Sequence, residues 1–305
     1  MKTLRKILLI YNPHAGKELI KTHLSDILIA LQRPDSLTTV FPTSGRGDAY
    51  RFALEHGCEY DEVIVSGGDG TLHEVVNGLM QHPIDKRPPV GYVPAGSTND
   101  FAVSHALPSV MVESAQVIAS GTPRRFDIGR FNRDYFTYVA AFGSFTDVTY
   151  DTPQDIKNVF GHLAYVAEGA RRLSTYRPLH VKVKADDEEI EGDFIVGLVA
   201  NSTSVGGMKL PYTDISLQDG VLELVLIRMQ SGLDLLNLLS DVVAGQFDSE
   251  VIIYRKIHRV TFESDIPIAW TLDGEFGGAM SQAEVEALQL AMELICPAEE
   301  NQGEA

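Results

Sequence analysis

Two cysteines in 305 residues are too few for a disulfide framework or a zinc cluster. Cys58 and Cys296 lie far apart in apolar surroundings and read as buried thiols of a reducing compartment. Basic residues are also scarce: 25 Lys and Arg stand against 42 Asp and Glu, a net charge of −17. That balance excludes nucleic acid as a main partner, because phosphate-backbone binding needs clustered cations. Two local groups, Arg171-Arg172-Arg177 and Arg255-Lys256-His258-Arg259, read as solvated surface. Long apolar runs are missing as well. Nothing approaches the ~20 residues of a transmembrane helix. The N-terminal run Ile7–Tyr11 stops at Asn12-Pro13, short of the ~7–15 residues of a signal-peptide core. The expected location is therefore cytoplasmic, with any membrane contact peripheral.

What is present suits a globular enzyme. Hydrophobic residues make up 44% and charged residues 22%, and the length accommodates two domains. Short β-branched runs at Lys6–Tyr11, Leu37–Phe41, Glu62–Val65 and Val90–Val93 alternate with helical patterns at Ile20–Leu31, Asp48–His56 and Leu72–Met80. Strand–helix alternation predicts an α/β domain, a parallel sheet with flanking helices, over residues 1–122. After Pro123 strands dominate: Arg125–Phe131, Tyr135–Phe142, Leu179–Lys184, Phe194–Asn201, Leu222–Arg228, Val251–Phe262 and Ile268–Leu272. Helices are expected only at Asp155–Leu173 and after Ser231. Residues 123–295 thus predict a mainly antiparallel β-sandwich domain, with the tail 296–305 as a candidate to complete the first domain. Ser281–Cys296 has a capping pattern and an apolar face that also suits a helix.

Parallel sheets bind ligands at the carboxyl ends of their strands, and three polar, Gly-containing loops fall there. Ser66-Gly67-Gly68-Asp69-Gly70-Thr71-Leu72-His73 joins a strand to a helical pattern, so its N–H groups and the helix N-terminus form a phosphate cradle. An Asp-Gly hairpin would need a second antiparallel strand, and a helix pattern follows instead. Neither the dinucleotide G-x-G-x-x-G nor the P-loop pattern is present. Asn12-Pro13-His14-Ala15-Gly16-Lys17 ends the first strand. Pro94-Ala95-Gly96-Ser97-Thr98-Asn99-Asp100-Phe101 ends the fourth. Singly, each is an ordinary turn and cap; three at one sheet edge point to a nucleotide site.

At these loops the chain resembles the bacterial diacylglycerol kinase and lipid kinase family, with its N-P-x-x-G-K/R, GGDGT and P-x-G-T-x-N-D-F loops. The resemblance continues through Asp127-Ile128-Gly129, Gly206-Gly207, Asp219-Gly220-Val221-Leu222 and Leu272-Asp273-Gly274-Glu275. It implies a two-domain kinase using ATP and Mg²⁺ on a lipid hydroxyl, diacylglycerol first, at the inner face of the membrane. A homodimer is left open. By the same resemblance the nucleotide is met by Asn12, Lys17, Thr43, Gly67, Gly68, Asp69, Gly70, Thr71, Leu72, His73, Ser97, Thr98, Asn99 and Asp100. Ser97 stands at the family's threonine and His73 at its usual asparagine. A structural Mg²⁺ is implied at Asp219, with the carbonyls of Ser216 and Val221. The resemblance also turns residues 283–296 from helix to strand.

Phosphoryl transfer needs positioning and charge neutralisation. Asp69 is the expected ligand of catalytic Mg²⁺. Asp273 or Glu275 is the expected base for the hydroxyl proton, with Glu275 preferred for its longer reach. Two competing readings are a soluble-substrate kinase such as an NAD kinase and a non-catalytic lipid- or nucleotide-binding regulator. The Asn-Pro loop weighs against the first, and the set Asp69, Asp273 and Glu275 against the second.

Overall fold

The computed structural model describes residues 4–16, 18–143, 177–212, 214–229, 234, 237–238, 240–241 and 244–298. Lys17, the helix expected at 155–173 and most of the one after Ser231 lie outside them.

Four strands, β1 (Arg5–Tyr11), β2 (Ser36–Pro42), β3 (Glu62–Gly67) and β4 (Val90–Pro94), pair in parallel in the order β4-β3-β1-β2. Successive side chains point to opposite faces of a strand, and both faces here are covered. Ile7 and Leu9 pack with α1 (Ile20–Leu31) and α5 (Met111–Ser120). Leu8 and Ile10 pack with α2 (Asp48–His56), α3 (Asp69–Met80) and α4 (Asp100–Ser104). The near-continuous apolar strands follow from that double burial.

The second unit is antiparallel. Its strands are β5 (Thr122–Phe131), β6 (Asp134–Phe136), β7 (Val139–Gly143), β8 (Leu179–Ala185) and β9 (Glu188–Ala200). A small hairpin, β10 (Ser204–Val205) with β11 (Met208–Lys209), precedes β12 (Leu222–Arg228), β13 (Ile252–Ile257), β14 (Arg259–Leu272) and β15 (Glu275–Cys296). Trp270 sits at its centre, with ring centroids of Phe131, Phe142 and Phe262 within 4.9 Å.

The two units share one sheet. β15 pairs with β14 and β5 along most of its length, and at its end Leu294 pairs in parallel with Val90 of β4. Its early residues Ala283 and Val285 belong to the Trp270 core, and Ala291, Met292, Leu294 and Cys296 belong to the core beneath α3. Residues 281–296 are thus strand, and the last parallel neighbour of the first sheet comes from within 291–296.

Several expectations need correction. Tyr135–Phe142 is two strands, because the N–H groups of Thr137, Tyr138 and Val139 turn to the Asp273 carboxylate. Val251–Phe262 is also divided, because Asp186 accepts the N–H groups of His258 and Arg259. Cys58 is exposed, since Gly57 rather than Cys58 faces Leu79. The 255–259 cations stand at the solvated surface, as expected, and pair there: Arg255 with Glu188, Lys256 with Asp214 and Arg259 with Glu284. No helix among the described residues is long and apolar enough to cross a membrane.

Candidate active site

The carboxyl ends of β1, β3 and β4 bring the three polar loops together. Asn12 donates from its backbone N–H to the Ser66 carbonyl at 2.9 Å, and from Nδ2 to Thr71 Oγ1 at 3.4 Å. The Gly67-Gly68 turn lies against Gly96: a Cβ on Gly96 would stand 2.8 Å from the Gly68 α-carbon, so backbone packs on backbone there. Tyr92, buried on β4, ties the two loops by donating to the Gly67 carbonyl at 3.2 Å or to Asn99 Oδ1 at 3.4 Å. Asn99 holds its own loop, accepting the Gly96 N–H at 2.9 Å.

Helix α3 begins at this junction. Thr71 and Leu72 close its first turn on the Gly68 carbonyl, which leaves the N–H groups of Asp69 and Gly70 at the open helix end. Asp69 Oδ2 accepts the Asp100 N–H at 3.3 Å and the Thr98 hydroxyl at 3.4 Å. Asp69 Oδ1 is buried without a partner, as is Ser66 Oγ. Burial first, then the charges of Asp100 and Asp273, pushes the Asp69 carboxyl up to about 7. A buried, unpartnered carboxylate oxygen among other carboxylates is a place for a cation, so the donor set fits Mg²⁺ carried with a nucleotide.

Asp100 is fixed from the second unit, accepting the Ser204 hydroxyl at 2.6 Å and the Gly207 N–H at 2.9 Å. The turn after β14 closes the site from the same side. Asp273 is buried and accepts the N–H groups of Thr137, Tyr138 and Val139 between 2.7 and 3.1 Å, with the Thr137 hydroxyl at 3.1 Å. His73 Nδ1 adds a contact at 2.9 Å. Burial pulls the imidazole pKa down, but the hydrogen bond and charge of Asp273 outweigh it and leave it raised. Glu275 is half-exposed and lies over Gly70.

The expected residues therefore divide. Asn12, Thr43, Gly67, Gly68, Asp69, Gly70, Thr71, Ser97, Thr98, Asn99 and Asp100 converge at one edge, with His73 and Asp273 one helical turn along α3. Leu72 is different: its side chain is in the core and its N–H is spent on Gly68. The Thr98 hydroxyl is engaged by Asp69, whereas Ser97 is exposed. Ser216, Asp219 and Val221 belong to a separate turn, held where Asp127 accepts the Gly220 N–H at 2.6 Å and Asp219 accepts the Val221 N–H at 3.1 Å. No cluster of three or more His, Cys, Asp or Glu suited to a metal occurs among the described residues. Tyr92, Ser204, Asn77, which donates to the His73 carbonyl at 2.9 Å, and Glu74, which accepts the Gly47 N–H at 2.7 Å, also build the site and carry no motif in the sequence. A tyrosine within an apolar strand was the only available signal for Tyr92.

Comparison with known proteins settles the family. Residues 6–131 match the diacylglycerol kinase catalytic domain, and 144–296 match the YegS C-terminal NAD kinase beta sandwich-like domain. A diacylglycerol kinase of Bacillus subtilis is 34% identical over 97% of this chain and 98% of its own length. The chain belongs to the diacylglycerol kinase family of lipid kinases. A diacylglycerol kinase of Staphylococcus epidermidis is likewise 34% identical, over 95% of this chain and 91% of its own. A crystal structure of a putative diacylglycerol kinase from Bacillus anthracis superposes with a TM-score of 0.80 at 24% identity, covering 97% of this chain and 98% of that one. An NAD kinase from Archaeoglobus fulgidus in complex with ATP shares the fold more distantly, with a TM-score of 0.54 at 13% identity over 95% and 93% of the two chains. These likenesses bear out the lipid kinase resemblance and the α/β plus antiparallel architecture.

Proposed function

We propose that this lipid kinase transfers the γ-phosphate of ATP to the hydroxyl of diacylglycerol at the inner face of the membrane. The observation that carries the reading is the unpartnered Asp69 Oδ1 at the N-terminus of α3, inside the cradle of the Gly67-Gly68 and Gly96 backbones. Mg²⁺ bound with ATP supplies charge neutralisation of the phosphates and of the transferred group. Asp69 holds that cation, the N–H groups at the start of α3 face the phosphates, and Asn12 and the exposed Ser97 hydroxyl line the nucleotide side. Lys17, outside the described residues, is proposed as a further cation of the first loop.

Glu275 is proposed to accept the hydroxyl proton. Asp273 has every lone-pair direction engaged by neighbouring donors and serves to fix the turn, whereas Glu275 is half-exposed at the site. Phe276, 65% exposed beside it, presents an apolar surface suited to an acyl chain. Asp219, with the carbonyls of Ser216 and Val221, is proposed as a second, structural Mg²⁺ site.

The experiment is transfer of labelled phosphate from ATP to a panel of lipids in mixed micelles, with diacylglycerol, monoacylglycerol, phosphatidylglycerol, sphingoid bases, ceramide and NAD as acceptors. Diacylglycerol should be the best acceptor, and Glu275→Gln should lower turnover roughly 100-fold, the scale of general-base catalysis. Preferential labelling of another acceptor would replace the substrate. Turnover near wild type in Glu275→Gln would remove that residue from the chemistry.

A further inference from the structure

An exposed arginine of the first unit reaches a carboxylate of the second. Arg46 lies on the loop between β2 and α2, and that loop is fastened at several points. The Thr43 N–H donates to the Tyr11 carbonyl at 2.9 Å, and Asp48 accepts the Ser44 N–H at 2.8 Å. Glu74, on α3, accepts the N–H groups of Gly47 at 2.7 Å and Ala49 at 3.1 Å. The backbone around Arg46 is therefore locked to the same helix whose N-terminus forms the phosphate cradle. From this base Arg46 Nη2 reaches Glu275 Oε2 at 3.0 Å.

The other oxygen of Glu275 sits on the first turn of α3. A Cβ added to Gly70 would stand 2.7 Å from Glu275 Oε1. A guanidinium and a carboxylate thus lie together above the open end of the helix, where a bound phosphate chain belongs. The side chains are 71% and 40% exposed, so solvent weakens the pair. A polyphosphate carries several charges and accepts a guanidinium fork bidentately, so it outcompetes one solvated carboxylate for Arg46. It also repels Glu275.

We infer that Arg46 is a phosphate-binding residue for the triphosphate donor, paired with Glu275 in the nucleotide-free protein and handed to the phosphates when the donor binds. This deepens the proposed kinase site and rests on that reading. The exchange gives Glu275 two states: paired with Arg46 before the donor arrives, and released toward the acceptor hydroxyl afterwards. Donor binding then precedes the availability of the base.

The test is calorimetric titration of ATP, ADP and AMP, with Mg²⁺, into wild type, Arg46→Ala, Glu275→Gln and the double variant. Melting curves serve to confirm that each variant is folded. Arg46→Ala should weaken ATP by about tenfold or more, the scale of one hydrogen bond to a charged group, and leave AMP within about twofold. Glu275→Gln should tighten ATP, and by a smaller factor when Arg46 is already absent. Equal ATP affinity of wild type and Arg46→Ala overturns the inference while leaving the kinase reading intact. An identical effect of Glu275→Gln in both backgrounds overturns the exchange. Absence of ATP binding in wild type overturns the inference and the kinase reading together.

Discussion

Asp69 has a carboxyl that titrates at about 7 in the native protein, because it is buried and faces Asp100 and Asp273. Its ordinary value is 3.8. Between those values the native state holds a proton that the unfolded chain has lost, so stability falls as pH rises through about 7. Asp69→Asn should therefore melt above wild type at pH 8 in chelator, with the difference narrowing as pH drops from 7 toward 5. The same variant should lose phosphoryl transfer by at least about 100-fold, since an amide does not replace a carboxylate as ligand of a hard cation. A variant that melts no higher at pH 8 would show that the charge of Asp69 is compensated in the free protein. Asp69 was legible in sequence because a carboxylate among glycines has no packing role. The glycines mark the close approach of Gly68 to Gly96, which needs bare backbone. The partners of Asp100 were not legible: Ser204 lies 104 positions away and only folding brings its hydroxyl to 2.6 Å. Arg46 was hidden for the same reason, since its contact crosses to Glu275.

Turns and strand ends follow a comparable logic at the scale of elements. Asp273 takes up a left-handed backbone, φ 52°, and its carboxylate gathers three successive N–H groups from the β6–β7 connection. Asp273→Ala would leave those donors buried and unpaired, at roughly 1–3 kcal/mol each. The expected loss is roughly 3 kcal/mol or more of unfolding free energy in urea, and turnover should fall with it. Unchanged stability would return Asp273 from anchor to candidate base. The parallel strands were readable from their unbroken apolar runs, because both faces are covered. The break inside Tyr135–Phe142 was not, because a distant carboxylate causes it. Residues 281–296 imitate a helix for a local reason. The pairing register with β5 shifts between Leu288 and Met292, and Leu290 sits at φ 52°. That irregularity turns both Ala291 and Met292, with Leu288, toward the core beneath α3. Val285 belongs to the Trp270 core and Ile295 to the opposite face with Ile7 and Leu9, so residues of three cores together imitate helix spacing in a strand.

The whole molecule is joined through β15 and β5, which enter both hydrophobic cores. Phe131 packs with Trp270, whereas Phe126 and Ile128 pack beneath α3. Asp127 stands between them on β5, fully buried. Its Oδ1 accepts the Leu290 N–H at 2.7 Å, at the irregular point of β15, and its Oδ2 accepts the Gly220 N–H at 2.6 Å. Its backbone carbonyl accepts Asn201 Nδ2 at 2.7 Å, and its N–H donates to the Leu217 carbonyl at 2.8 Å. One side chain thus ties β15 to the 217–220 turn of the second unit. Both cores share β15, so melting one removes a wall of the other, and wild type should unfold in a single calorimetric transition. Asp127→Ala leaves the N–H groups of Leu290 and Gly220 unpaired, a loss of roughly 2–6 kcal/mol. Because the Leu290 N–H belongs to the strand common to both cores and Gly220 lies against Gln289 of that strand, the whole transition should move to lower temperature. Asp127→Asn should recover part of the loss, since its amide oxygen still accepts one of the two bonds. Scanning calorimetry at several heating rates checks the claim. If Asp127→Ala split the profile into two peaks, with the upper one at the wild-type temperature, the coupling would run through β5 and this carboxylate rather than through β15. If wild type itself showed two peaks, the continuous strand would not make the units cooperative.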